Sequence, residues 1–203
     1  MDRYQLLVNE IIANGMLCAG RVAHITHYAL QSSRLPGTTV EFGCHTGRTA
    51  ALLAHLSPNP LWLYDSFEGL PQPGSEDAAG LECFKAGALK VSEDSVRHYF
   101  AQHGLRVPLL YKGWFGELTK AQLPDRICFA HLDGDLYTSI RDGLRLIYPR
   151  LLRGAACIVD DYGWSGTPGV QRAVDQYLMG KPESAVPLVT GNPNAFQAVI
   201  IKL

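Results

Sequence analysis

The chain has 203 residues, 47% of them hydrophobic and 18% charged, a balance that suits one globular domain and excludes a disordered chain. Its formal net charge is -1, from 18 basic and 19 acidic residues. No run of lysine or arginine appears, so no nucleic-acid partner is expected.

The first 36 residues read as a helical N-terminal segment. Leu6, Leu7, Ile11 and Ile12 form one apolar stripe, and Val22, Ile25 and Ala29 a second. The opening MDRYQLLVNEIIANG carries acidic residues and no long apolar core, so it is not expected to act as a signal peptide. After Pro36-Gly37, TTVEFG begins a strand, RTAALLAHL a helix and LWLYD a second strand. Residues 66–91 are rich in glycine, proline and acidic groups without sustained periodicity, the composition of a lid loop. A helix is expected near Ser92–His103 with Ser92 as its N-cap. VPLLYKGWF and ICFAHLD are the third and fourth strands, and a capping box at Ser139-Ile140-Arg141-Asp142 is expected to open the next helix. AACIVDDY is the fifth strand, and Pro168 suits the first turn of GVQRAVDQYL. VPLVT and FQAVIIKL flank Gly191-Asn192-Pro193-Asn194-Ala195, which reads as a hairpin turn. Strands alternating with helices predict one α/β domain over residues 1–203, with a mostly parallel sheet covered on both faces and an antiparallel strand at its end.

Neither metal nor redox cysteine motifs are present. Cys18, Cys44, Cys83, Cys128 and Cys157 are scattered, with no C-x-x-C pair, which favours a reducing, cytoplasmic setting. No stretch approaches the roughly 18 apolar residues of a membrane span.

In such a sheet, ligands bind beyond the carboxyl ends of the strands. The first strand runs through Glu41, Phe42 and Gly43 into Cys44-His45-Thr46-Gly47, where Gly43 and Gly47 permit a tight turn and close approach to a ligand. Asp65 ends the second strand and can accept hydrogen bonds from ribose hydroxyls. Full G-x-G-x-x-G spacing is missing, which favours adenosine with a sulfonium tail, S-adenosylmethionine, over a dinucleotide. Trp114, at the end of the third strand, can pack on adenine or belong to the core. His131, Asp133 and Asp135 alternate at the end of strand four, while Asp160 and Asp161 end strand five. Four converging carboxylates repel without a cation, and an all-oxygen ligand set suits Mg²⁺ or Mn²⁺. His131 reads as a ligand, a base or a satisfied histidine beside the sheet. His24 and His27, three apart on a helix, read as structural.

VEFGCHTGRT, LYDSFEGLP, GWFGELT, HLDGDLYTSIRDGLRLIYPRLLRGAACIVDDYG and GVQRAVDQY together resemble the macrocin O-methyltransferase family, over about residues 39–177. That resemblance implies a seven-stranded, Rossmann-like class I methyltransferase sheet and methyl transfer from S-adenosylmethionine to a hydroxyl of a sugar or other small natural-product acceptor. It implies Asp133, Asp160 and Asp161 as metal ligands, and Asp135 as general base with His131 as its alternative. Glu41 and Gly43 then belong to the cofactor turn, and Asp65 and Ser66 to the ribose contact. The chain reads as shorter than typical antibiotic-sugar members, which leaves the acceptor open. No membrane partner is expected, and a homo-oligomer is compatible with this reading. Its rivals are a nicotinamide oxidoreductase, a metal-dependent catechol or phenol methyltransferase, and a non-catalytic S-adenosylmethionine-binding module.

Overall fold

The computed structural model describes residues 1–78, 80–189 and 196–203. Seven strands, β1 (Thr38–Phe42), β2 (Leu61–Asp65), β3 (Leu109–Lys112), β4 (Ile127–Leu132), β5 (Leu151–Asp160), β6 (Val186–Leu188) and β7 (Gln197–Ile201), form one sheet of order β3-β2-β1-β4-β5-β7-β6. The first five pair in parallel, and β7 lies antiparallel to both β5 and β6. The strand order reverses between β1 and β4, which opens a crevice above their carboxyl ends. The expected hairpin turn, 191–195, lies outside the described residues, although the two strands that flank it do pair.

Among the described residues six α-helices cover the sheet: α1 (Arg3–Ala13), α2 (Ala19–Ser32), α3 (Arg48–Leu56), α4 (Glu93–Gln102), α5 (Tyr137–Ile147) and α6 (Pro168–Leu178). Apolar residues at helical spacing turn inward on each. Leu7, Ile25, Leu52 and Phe100 join one buried cluster with Phe129 and Ile158 of the sheet. Ile140, Leu144, Val170 and Val174 join a second cluster with Phe42, Leu132 and Val159. Because strand side chains alternate, α1 to α4 pack on one face and α5 with α6 on the other.

Three local expectations are corrected. Strand four stops at Leu132, and Asp135 follows with a left-handed φ of 57°, so His131, Asp133 and Asp135 do not alternate along one strand. α5 begins at Tyr137, before the expected capping box. Its first N–H instead donates to Asp77 Oδ1 at 2.9 Å, so a residue distant in sequence satisfies the helix end. Ser92 does precede α4, but its side chain makes no capping hydrogen bond.

The described residues of segment 66–91 are mostly irregular, with one short 3₁₀ turn at Ser75–Asp77. Its stem is closed by Leu70 N–H donating to the Ala88 carbonyl at 2.8 Å and Gly87 N–H to that of Leu70 at 2.9 Å. Asp77 is buried and ties the middle of the segment to α5.

Candidate active site

The β1–α3 turn is shaped by what lies beside it. Gly43 has φ of +89°, and a Cβ there would stand 1.7 Å from the Asp133 carbonyl oxygen, so only glycine lets the ends of β1 and β4 pass this closely. Gly47 makes a different contribution. A Cβ on it would meet Val96 of α4 at 2.9 Å, which makes it a packing position for α3 against α4.

A cleft of about 640 Å³ opens above these strand ends. Gly43, Asp65, Ser66, Trp114, Asp133, Asp135 and Asp161 line it, with Met16, Leu17, Phe84 and Trp164 along its apolar walls. Of the residues singled out from the sequence, Glu41, Gly47, His131 and Asp160 are not on its surface.

Asp65 is fixed by the backbone. Its Oδ2 accepts from His45 N–H at 2.9 Å and its Oδ1 from Phe67 N–H at 2.8 Å. Each oxygen keeps a second lone pair. Burial raises its pKa against those two bonds. Ser66 is occupied locally: its hydroxyl donates to the Gly69 carbonyl at 2.7 Å and accepts from Glu68 N–H at 3.1 Å.

Beneath the cleft runs a polar row that crosses four strands on the α1–α4 face. Glu41 of β1 stands in register with His131 of β4, and Asp160 of β5 with Gln197 of β7. Glu41 Oε1 lies 2.8 Å from His131 Nδ1, and His131 Nε2 lies 3.5 Å from Asp160 Oδ1. Gln197 Nε2 donates to Asp160 Oδ1, and Gln197 Oε1 meets His24 Nδ1 of α2 at 2.9 Å. Glu41, His131, Asp160 and Gln197 are each 1% exposed. Burial disfavours charge on His131, but Asp160 and Glu41 overcome it and raise its pKa well above the ordinary value. Burial likewise opposes ionisation of Asp160, yet His131, Arg21 and Gln197 prevail and hold its pKa down. Glu41 is pushed up by burial despite His131.

At the end of this row the acidic groups gather. Ligand atoms within 4.8 Å of one another fall, among the described residues, into two groups that share Asp133: His131–Asp133–Asp160 and Asp133–Asp135–Asp161. Asp135 and Asp161 both have left-handed backbones, φ 57° and 60°, a conformation aspartate tolerates better than most residues. Arg21 of α2 meets the pair at the end of β5, with Nη2 2.6 Å from Asp161 Oδ1 and Nη1 3.8 Å from Asp160 Oδ2. Burial, then the neighbouring aspartates, raise the pKa values of Asp133 and Asp135 well above the carboxylate range. Asp161 is raised by burial, with Arg21 opposing. Sequence reasoning missed Arg21 and Gln197. The available signal for Gln197 was one amide inside the apolar strand QAVII; the helical spacing around Arg21 carried none.

A divalent cation fits this donor set. Asp160 Oδ2 is buried with no hydrogen-bond partner, and carboxylates make up most of both groups. The shifted pKa values predict how stability changes with pH. A group whose pKa is raised on folding contributes stability that is full below its unfolded value and lost as pH rises through its folded value. Asp133, Asp135 and His131 all have that sign. The metal-free protein is therefore expected to melt at progressively lower temperature as the pH is raised from acidic to alkaline, with divalent metal narrowing the difference. A flat profile in EDTA contradicts this balance.

Sheet order, the glycine turn at the switch point and the carboxylate ending β2 define a class I methyltransferase fold. Residues 9–184 match the macrocin-O-methyltransferase (TylF) family model, and the chain belongs to that family. It is 36% identical over 175 residues to the 8-demethyl-8-(2,3-dimethoxy-alpha-L-rhamnosyl)-tetracenomycin-C 4'-O-methyltransferase of Streptomyces olivaceus, covering 80% of this chain and 59% of that one. To the demethyldecarbamoylnovobiocin O-methyltransferase of Streptomyces niveus it is 34% identical over 158 residues, 71% of this chain and 59% of the relative. The chain thus spans about three fifths of the length of these curated relatives. The solved structure of the O-methyltransferase NovP superposes with a TM-score of 0.77 at 25% identity, covering 92% of this chain and 81% of that one. No helix among the described residues is long and apolar enough to cross a membrane.

Proposed function

We propose that the protein is a divalent-metal-dependent O-methyltransferase that moves the methyl group of S-adenosylmethionine to a hydroxyl of a sugar or related small natural product. The observation that carries this reading is the gathering of Asp133, Asp135 and Asp161 in the same cleft that Gly43 and Asp65 line. The name of the Streptomyces olivaceus relative, which describes a rhamnosyl-bearing substrate, supports the acceptor class.

On the donor side, Asp65 offers its remaining lone pairs to ribose hydroxyls, and Gly43 lets the chain lie close to the donor. Trp114 offers its ring to adenine. Ser66, bonded to Gly69 and Glu68, holds the start of segment 66–91 in position, and that segment shields the reacting atoms from water. On the acceptor side, Asp133, Asp160 and Asp161 would hold Mg²⁺ or Mn²⁺. Such an ion supplies positive charge that keeps the surrounding carboxylates ionised and lowers the pKa of an acceptor hydroxyl. Asp135 faces the cleft and takes the hydroxyl proton. His131, fully buried between Glu41 and Asp160 and off the cleft surface, positions Asp160. The transfer is an in-line displacement, the sulfonium leaving as a neutral thioether while the acceptor oxygen gains the methyl group and loses its proton to Asp135.

Labelled donor and a panel of sugar diols and catechols, with Mg²⁺ and with EDTA, test the proposal. Labelling of a sugar diol that requires the metal is expected. Equal transfer in EDTA removes the metal, and labelling of catechols alone moves the enzyme to the phenol class.

A further inference from the structure

Helix α2 carries two polar contacts to the acidic centre, one turn apart on the same face. Arg21 reaches Asp160 and Asp161 directly, and His24 reaches Asp160 through Gln197. His27, one turn further along, is exposed and takes no part. Arg21 is itself only 8% exposed and also lines the cleft. It stands in the first turn of α2, directly after Met16, Leu17 and Cys18, which form part of the cleft wall.

The guanidinium and a divalent ion need the same carboxylate oxygens. Asp161 Oδ1 is held by Arg21 at 2.6 Å, and Asp160 Oδ2, which lacks a hydrogen-bond partner, faces Arg21 Nη1 at 3.8 Å. With Arg21 in place, Asp160 and Asp161 fall into separate groups around Asp133. An ion held jointly by Asp133, Asp160 and Asp161 would compete with Arg21 for that pair.

We infer that Arg21 is the internal counter-cation of the metal centre: it neutralises Asp160 and Asp161 when no metal is bound, and an entering divalent ion displaces it. This rests on the metal-dependent reading above and adds a consequence to it. Metal entry frees the first turn of α2 from β5, and with it the adjoining stretch 15–18 of the cleft wall. Removing a positive charge a few ångströms from a cation site strengthens cation binding, whereas a residue that merely orients the ligands weakens it when lost.

The test measures Mg²⁺ binding by calorimetry, with no donor or acceptor, at about pH 8, on wild type, Arg21→Met and Arg21→Lys. Melting temperatures in EDTA and in saturating Mg²⁺ accompany it. Arg21→Met is expected to bind Mg²⁺ about tenfold more tightly than wild type, and to melt lower in EDTA, with the deficit restored by Mg²⁺. Arg21→Lys keeps the charge and is expected to stay within about threefold of wild type. Weaker or unchanged metal binding in Arg21→Met overturns the inference, as does a variant that fails to fold even in saturating Mg²⁺. Wild type that binds no divalent ion removes the metal reading itself, and the inference with it.

Discussion

Replacing Asp160 by asparagine is expected to abolish tight metal binding and lower methyl transfer by about a thousandfold, the equivalent of several kcal/mol of charge stabilisation. Asp160 lies at the meeting point of both polar systems. Its Oδ1 faces His131 and Gln197, while Oδ2 is buried without a hydrogen bond. Asparagine preserves volume and can still accept from Gln197, but it removes the charge that offsets His131 and Arg21. A stability loss of about 3 kcal/mol is expected for the metal-free protein, the cost of leaving buried cations short of a partner. Donor binding is expected to survive, because Gly43 directly follows β1, Asp65 ends β2, and Asp160 is not on the cleft surface. Calorimetry with S-adenosylhomocysteine separates this result from simple unfolding. Near-normal turnover in a folded Asp160→Asn protein contradicts the metal assignment.

Asp135→Asn is expected to behave differently. General-base catalysis contributes about a hundred- to ten-thousandfold, and turnover is expected to fall within that range while donor affinity stays unchanged. Asparagine is the informative substitution because Asp135 has φ of 57°. Asparagine accepts the left-handed backbone, whereas alanine adds strain there and confuses two effects. The wild-type rate is expected to rise with pH as Asp135 ionises, and the variant to lose that dependence. Turnover and pH profile both unchanged rule out Asp135 as the base.

Much of this arrangement was legible in the amino-acid order. The order and type of the strands and helices followed from periodicity and from Gly and Pro punctuation, and Pro168 marks the start of α6, but β5 begins at Leu151, ahead of the expected AACIVDDY. Class I topology, which periodicity does not specify, came with the resemblance carried by DGDLY and IVDDY, and the sheet order bears it out. What escaped was non-local. The first N–H of α5 is satisfied by Asp77, 60 residues away, so the nearby Ser139 pattern pointed to the wrong start. Glu41, read as part of the cofactor turn, is a buried partner of His131 because alternation along β1 turns it away from the cleft. Arg21 and Gln197 reach Asp160 only once α2 and β7 are packed against β5. The aspartates announced a charge problem in sequence; their internal counter-cation became visible only in three dimensions.

The most direct test is a crystal structure of the protein with S-adenosylhomocysteine, soaked in Mn²⁺ and read by anomalous scattering. A single strong Mn²⁺ peak bounded by Asp133, Asp160 and Asp161, with the ribose at Asp65, is the predicted result. A clear donor with no Mn²⁺ at these carboxylates, Arg21 still seated on Asp161, contradicts the account.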